Sequence, residues 1–230
     1  RFASVPDRYE RGGVSPLAQL TEAQRVGLQA ALDAAVPGRF HVALGLKHAD
    51  PKVEVAAGRL AHDGFDTIVG LVLAPHYSSY SVGQYLDRTR QGVVDVGGSA
   101  RVVGIDSWAV EPAFISFLAD DLAARISAMR ERTDGRVRVL FTAHSLPERI
   151  IAAGDPYPDE LRSTAEAVAA SVGIAEGDDW QIAWQSAGRT PEPWIGPDIL
   201  AVIDELGEDA DVAGVIVCAC GFVADHLEVL

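Results

Sequence analysis

Val137-Arg138-Val139-Leu140-Phe141-Thr142-Ala143-His144-Ser145-Leu146-Pro147 opens as a buried parallel strand and runs out into an imidazole and a proline-stopped turn. A second apolar run, Val212-Ala213-Gly214-Val215-Ile216-Val217, leads to Gly221-Phe222-Val223-Ala224-Asp225-His226-Leu227-Glu228. In an open α/β sheet the carboxyl ends of the strands line the ligand crevice. A lone imidazole at one strand end and an Asp-His-x-Glu cluster at another are therefore placed to face one cavity. Neutral imidazole and carboxylate are the groups that accept protons and hold a divalent metal briefly.

Outward from these runs, short apolar segments alternate with amphipathic helical ones, the pattern of a parallel sheet with crossover helices. The predicted strands are His41–Leu46, Thr67–Leu73, Arg101–Ile105, Arg136–Thr142, Trp180–Trp184 and Val212–Val217. The predicted helices lie near Pro16–Ala35, Lys52–Asp63, Ser81–Val94, Glu111–Arg132, Asp159–Val172 and Pro197–Leu206. Ser15 before Pro16 suits a cap followed by proline in the first turn, and Gly173 stands where a C-terminal cap is expected. No Gly/Ser-rich linker, internal repeat or low-complexity tract divides the chain. A boundary near Pro112 gives two α/β halves, 1–112 and 113–230, the second carrying His144 and Glu228.

The 230 residues supply an ample core, and a net charge of −14 argues against a nucleic-acid backbone or an anionic membrane surface as partner. No apolar run reaches the length of a membrane span and no signal-peptide pattern opens the chain, so a cytoplasmic location is expected. Cys218 and Cys220 are the only cysteines. A disulfide between them would be badly strained if the strand continued through both. Two thiols also cannot assemble a four-thiolate zinc or 2Fe-2S site, and small residues filling a strand end is the simpler reading.

There is no Gly-x-Gly-x-x-Gly after a strand, no Gly-Lys-Ser/Thr loop and no Gly-x-Ser-x-Gly elbow, which removes the usual support for nucleotide binding or serine hydrolysis. Ser145 beside His144 is a poor nucleophile and base pair, because adjacent residues at a strand end point apart. Asp225 and Glu228, three apart, share a helical face; taken alone, a helix cap and a first-turn acid are the better explanation of them. The loop Ala74-Pro75-His76-Tyr77-Ser78-Ser79-Tyr80-Ser81 joins a strand to a helix and offers hydroxyls and a helix N-terminus to a polar ligand. Gln185-Ser186 through Pro193-Trp194 is a long strand-end loop, a place where functional residues concentrate.

Taken together these segments resemble the ferrochelatases. The matching pieces occur in family order: Gly12-Gly13-Val14-Ser15-Pro16, Pro75-His76-Tyr77-Ser78, His144-Ser145-Leu146-Pro147, Gly154-Asp155-Pro156-Tyr157-Pro158, Gln185-Ser186 through Pro197, and Gly221-Phe222 through Glu228. The wording looks most like bacterial, particularly actinobacterial, members. The resemblance implies two Rossmann-like halves with a porphyrin cleft between them, and a lyase of heme biosynthesis that inserts Fe2+ into coproporphyrin III to give coproheme. Protoporphyrin IX is the runner-up substrate. A porphyrin-binding carrier on the same fold and a Co2+ or Ni2+ chelatase are the other readings.

By the same resemblance His144 and Glu228 are the catalytic pair, and His144, Glu228 and Asp225 meet the metal. Ser15, Arg8, His76, Tyr77 and Ser78 contact porphyrin or its propionates. Iron is a substrate and no permanent cofactor is implied; upstream and downstream heme-pathway enzymes are the implied protein partners. The chain departs from the pattern in four places. The family's N-terminal strand and C-terminal tail are not found, so a fragment of a longer protein is expected. Ala109 stands where some relatives have a tyrosine, and Arg8 is one residue out of register with a propionate-binding arginine.

Overall fold

The strand predicted at position 136 forms because its side chains can be buried on both faces. In the computed structural model, which describes residues 16–224, β3 (Arg136–His144) is buried along nearly its whole length. It is the central strand of a parallel three-stranded sheet of order β4-β3-β5, between β4 (Trp180–Gln185) and β5 (Val212–Cys218). Alternation assigns the two faces. Val139, Phe141 and Ala143 pack with Leu122 of α4 (Pro112–Arg130) and Leu161 of α6 (Tyr157–Val172). Leu140 turns the other way, onto Val202 and Leu206 of α7 (Ile199–Glu208).

The helix ends follow local chemistry. Glu111 caps α4 by accepting from the Ala113 and Phe114 amides, with Pro112 in the first turn. Asp198 caps α7 through the Leu200 amide. Gly173, at φ 72°, closes α6 in the left-handed conformation expected of it. A short helix, α5 (Glu148–Ala152), follows Pro147 and was not predicted.

These elements belong to a unit formed by Leu73–Val82 and Asp106–Val223; the other unit contains residues 16–72 and 83–105. In that other unit β1 (Thr67–Leu71) and β2 (Arg101–Ile105) pair in parallel, with Ile68 opposite Val102. Ile68 is buried with Ala57 of α2 (Val53–His62) and Val93 of α3 (Gln84–Asp95). The helix predicted at Ser81 begins instead with a π-helical turn, Ser79–Gly83, before α3. The fold is thus α/β, with parallel sheets flanked by helices. Among the described residues no helix is long and apolar enough to cross a membrane.

Helices α2 and α3 touch backbone to backbone. A Cβ added at Gly92 would stand 2.7 Å from the Glu54 Cα. Beside this contact Arg88 donates to Glu54 through both Nε (2.5 Å) and Nη2 (2.8 Å), a bidentate pair that holds the Glu54 carboxyl below the usual carboxylate range. Gly92→Ala is therefore expected to destabilise the protein by about 2 kcal/mol or more. Alanine's better helix propensity, worth about 1 kcal/mol, is outweighed by the overlap. Urea unfolding midpoints measure it, and an unchanged midpoint would contradict the packing.

His41–Leu46, predicted as a strand, is not one. Among the described residues its ladder is a single bridge, Leu46 to Lys52. Its backbone is taken up by side chains of α1 (Leu17–Ala35): Gln29 accepts from the Val42 amide and donates to the Phe40 carbonyl, and Arg25 donates to the Val42 carbonyl. Apolar content nominates a strand, but only a neighbouring edge makes one.

Candidate active site

His144 is the last residue of β3 and lies opposite Gln185, the last residue of β4. β5 ends with Cys218 opposite Phe141, three residues before His144, so all three strands present their carboxyl ends on the same side of the sheet. The imidazole is half-buried, and its Nδ1 lies 2.6 Å from the Ser145 carbonyl oxygen. A carbonyl only accepts, so Nδ1 carries the proton and the lone pair of the neutral ring sits on Nε2. That lone pair can take a proton or bind a metal.

Ser145 holds the segment and does no nucleophilic work. It is buried; its amide donates to the Gln185 carbonyl (2.7 Å) and its hydroxyl to the Ile195 carbonyl (2.8 Å). The long loop after β4 is fastened to the residues after His144. Ile195 N donates to the Leu146 carbonyl (2.9 Å), and Glu148 N to the Pro193 carbonyl (3.0 Å). Ser186 begins this loop at φ 60°, a left-handed conformation uncommon for a residue with a Cβ. Non-glycine residues held there mark places where surrounding structure over-determines the backbone.

The Pro75–Ser78 segment is built from the inside. Two carboxylates at the N-terminal end of α6 pin it. Asp155 accepts from Ser78 Oγ (3.1 Å), Ser79 N (2.7 Å), Ser79 Oγ (2.8 Å) and Tyr157 N (3.2 Å). Glu160 accepts from Tyr77 N (2.6 Å) and Ser107 Oγ (2.7 Å). His76 is 1% exposed, its Nε2 2.9 Å from Thr164 Oγ1. The single Thr164 hydroxyl proton goes to a backbone carbonyl, Ala109 at 2.7 Å or Glu160 at 3.2 Å. His76 Nε2–H must therefore donate, which leaves Nδ1 buried without a partner among the described residues.

Burial pushes the His76 pKa down from 6.5 to about 4. The folded protein keeps this ring neutral while the unfolded chain protonates it. The stabilisation is full above pH 6.5 and is lost as pH falls toward 4. Unfolding free energy is expected to drop by about 2 kcal/mol from this group between pH 7 and pH 5. Comparing denaturant unfolding of wild type and His76→Gln at the two pH values isolates the contribution. Equal pH dependence in both proteins would contradict it.

Of the residues singled out in the sequence, the structure puts His144 at the carboxyl end of β3, level with the end of β4. His76 and Ser78 are buried in the network beneath the loop, and Tyr77 is half-buried. Ser15, Arg8, Asp225, His226 and Glu228 lie outside the described residues. Among the described residues no group of three or more His, Cys, Asp or Glu side chains could hold a metal ion. Sequence reasoning gave no role to Asp155, Glu160 or Tyr157. The Asp-Pro-Tyr-Pro wording at a helix start was the available signal for Asp155. Tyr157 is buried edge-on to His76 and tilted against Trp184, and burial raises its hydroxyl pKa.

Comparison with known proteins gives the chain a family. The model of the ferrochelatase family matches residues 1–230. The chain belongs to the ferrochelatase family. Membership makes it an enzyme of porphyrin metallation. It is 43% identical over 220 residues to the coproporphyrin III ferrochelatase of Geobacillus kaustophilus, covering 95% of this chain and 68% of that protein. It is 41% identical over 231 residues to the enzyme of the same name from Anoxybacillus flavithermus, covering 100% and 72%. The Halalkalibacterium halodurans enzyme of that name is also 41% identical, over 228 residues, covering 98% and 72%.

Proposed function

We propose that this ferrochelatase-family chain inserts Fe2+ into coproporphyrin III to give coproheme, with His144 as the group that meets the reacting centre. The carrying observation is the fixed tautomer at the end of β3: Nδ1–H is committed to the Ser145 carbonyl at 2.6 Å, which puts the lone pair on Nε2. The substrate follows from the relatives, whose names specify coproporphyrin III.

Metallation removes two pyrrole N–H protons and strips water from Fe2+. Neutral His144 takes a proton through Nε2 or ligates the incoming iron; Glu228 relays the proton or guides the metal, and Asp225 stands beside it in sequence. Ser15 and Arg8 hold propionates in this reading. Within Pro75–Ser78, Tyr77 has the exposure to reach substrate. His76 and Ser78 act by positioning, since their polar atoms face Thr164 and Asp155. A site shaped for a ring puckered out of plane exposes the nitrogen lone pairs and favours the transition state.

Anaerobic competition tests the substrate assignment. With Fe2+ and equal coproporphyrin III and protoporphyrin IX, coproheme is expected to predominate at early times. Predominant protoheme would overturn the choice of porphyrin. Insertion of Co2+ or Ni2+ in preference to Fe2+ would overturn the choice of metal.

A further inference from the structure

We propose that Cys218 and Cys220 form a reversible dithiol–disulfide pair at the carboxyl end of β5. In a continuous strand a bond at this spacing would be badly strained, because parallel side chains hold the Cβ atoms about as far apart as the Cα atoms, roughly 6.6 Å, well beyond the Cβ separation of a relaxed disulfide. β5, however, ends at Cys218. The Cys220 amide donates to the Cys218 carbonyl at 2.9 Å, a three-residue γ-turn centred on Ala219 that folds the two cysteines toward each other. Both side chains meet one core: Cys220 lies in the buried cluster and Cys218 packs against it. The neighbouring Cys218 and burial together raise the Cys220 thiol pKa. Cys220 Sγ also points at the Thr142 carbonyl, 3.8 Å away.

The two thiols differ in access. Cys220 is fully buried and Cys218 is partly exposed. Cys218 is thus the thiol that meets an oxidant and Cys220 the one that resolves it. With hydrogen peroxide as the two-electron oxidant, Cys218 thiolate attacks one peroxide oxygen, the O–O bond breaks, and sulfenic acid and hydroxide form. Cys220 sulfur then attacks the Cys218 sulfur, the S–O bond breaks, and the Cys220 proton leaves in water. The sum is two thiols and one peroxide giving one disulfide and two waters; an added dithiol reverses it by exchange.

The turn bears on the end of β3. Gly221 N donates to the Thr142 carbonyl at 3.0 Å, and a Cβ at Gly221 would stand 2.8 Å from the Ala143 Cα. Closing the pair therefore displaces atoms next to His144.

The test is intact-mass and peptide analysis of the full chain after peroxide treatment and alkylation. Wild type is expected to lose two hydrogens, to resist alkylation at both cysteines, and to regain both thiols in dithiothreitol. Cys218→Ser, a change at the partly exposed position, is expected to keep an unoxidised Cys220. Cys220→Ser is expected to carry Cys218 on to sulfinic acid or into a linked dimer. Oxygen addition at Cys218 in wild type, an intermolecular link, or two thiols still alkylatable after treatment would each overturn the pair. None of these readouts requires porphyrin turnover.

Discussion

Alanine at position 144 is expected to lower kcat for coproporphyrin III metallation by about 10²–10⁴-fold, the range a positioned general base supplies. Porphyrin affinity is expected to change little, because the imidazole meets the reacting centre and the rest of the ring is held elsewhere. The fold should survive, since the half-buried ring donates to the carbonyl of its own neighbour, Ser145. His144→Asn sharpens the experiment. Asparagine keeps a donor for that carbonyl but offers no nitrogen lone pair, so it should be as slow as alanine. Single-turnover rates with porphyrin binding followed separately distinguish lost chemistry from lost binding. Near-normal kcat in both variants would remove His144 from the reaction.

The second large effect is on stability. Asp155→Ala is expected to cost about 3–5 kcal/mol, because it strands several donors of a buried network at once. Ser78 Oγ, Ser79 N, Ser79 Oγ and Tyr157 N all converge on this carboxylate. Asparagine keeps one acceptor oxygen and should cost about 1–3 kcal/mol, since part of the donor set stays satisfied. Thermal and urea unfolding of the two variants measure the gap. Equal, small losses in both would mean that water replaces the carboxylate and that the network does not hold the His76 segment.

The sequence was most legible where one rule decided the outcome. Arg101–Ile105 forms with its predicted bounds, and β3 runs two residues past its predicted end at Thr142, to His144. Gly173 caps α6 because only a left-handed residue closes a helix in that way. Membership in the ferrochelatase family was legible from motif wording, and the family match over 1–230 agrees with it. What stayed hidden depended on partners distant in sequence. His41–Leu46 looked like a strand until Gln29 and Arg25 claimed its backbone. The interior role of Ser78 required Asp155, 77 residues away. The fold of the cysteine pair turned on where β5 stops, and composition does not mark that point.

The most direct measurement is turnover itself, in anaerobic mixtures of this chain with excess coproporphyrin III and Fe2+ followed by absorbance. The account predicts many equivalents of coproheme per protein, with the free-base bands disappearing at a rate that His144→Ala reduces by about 10²-fold or more. Free-base coproporphyrin III bound at one equivalent and never metallated would contradict it and leave a carrier in place of an enzyme.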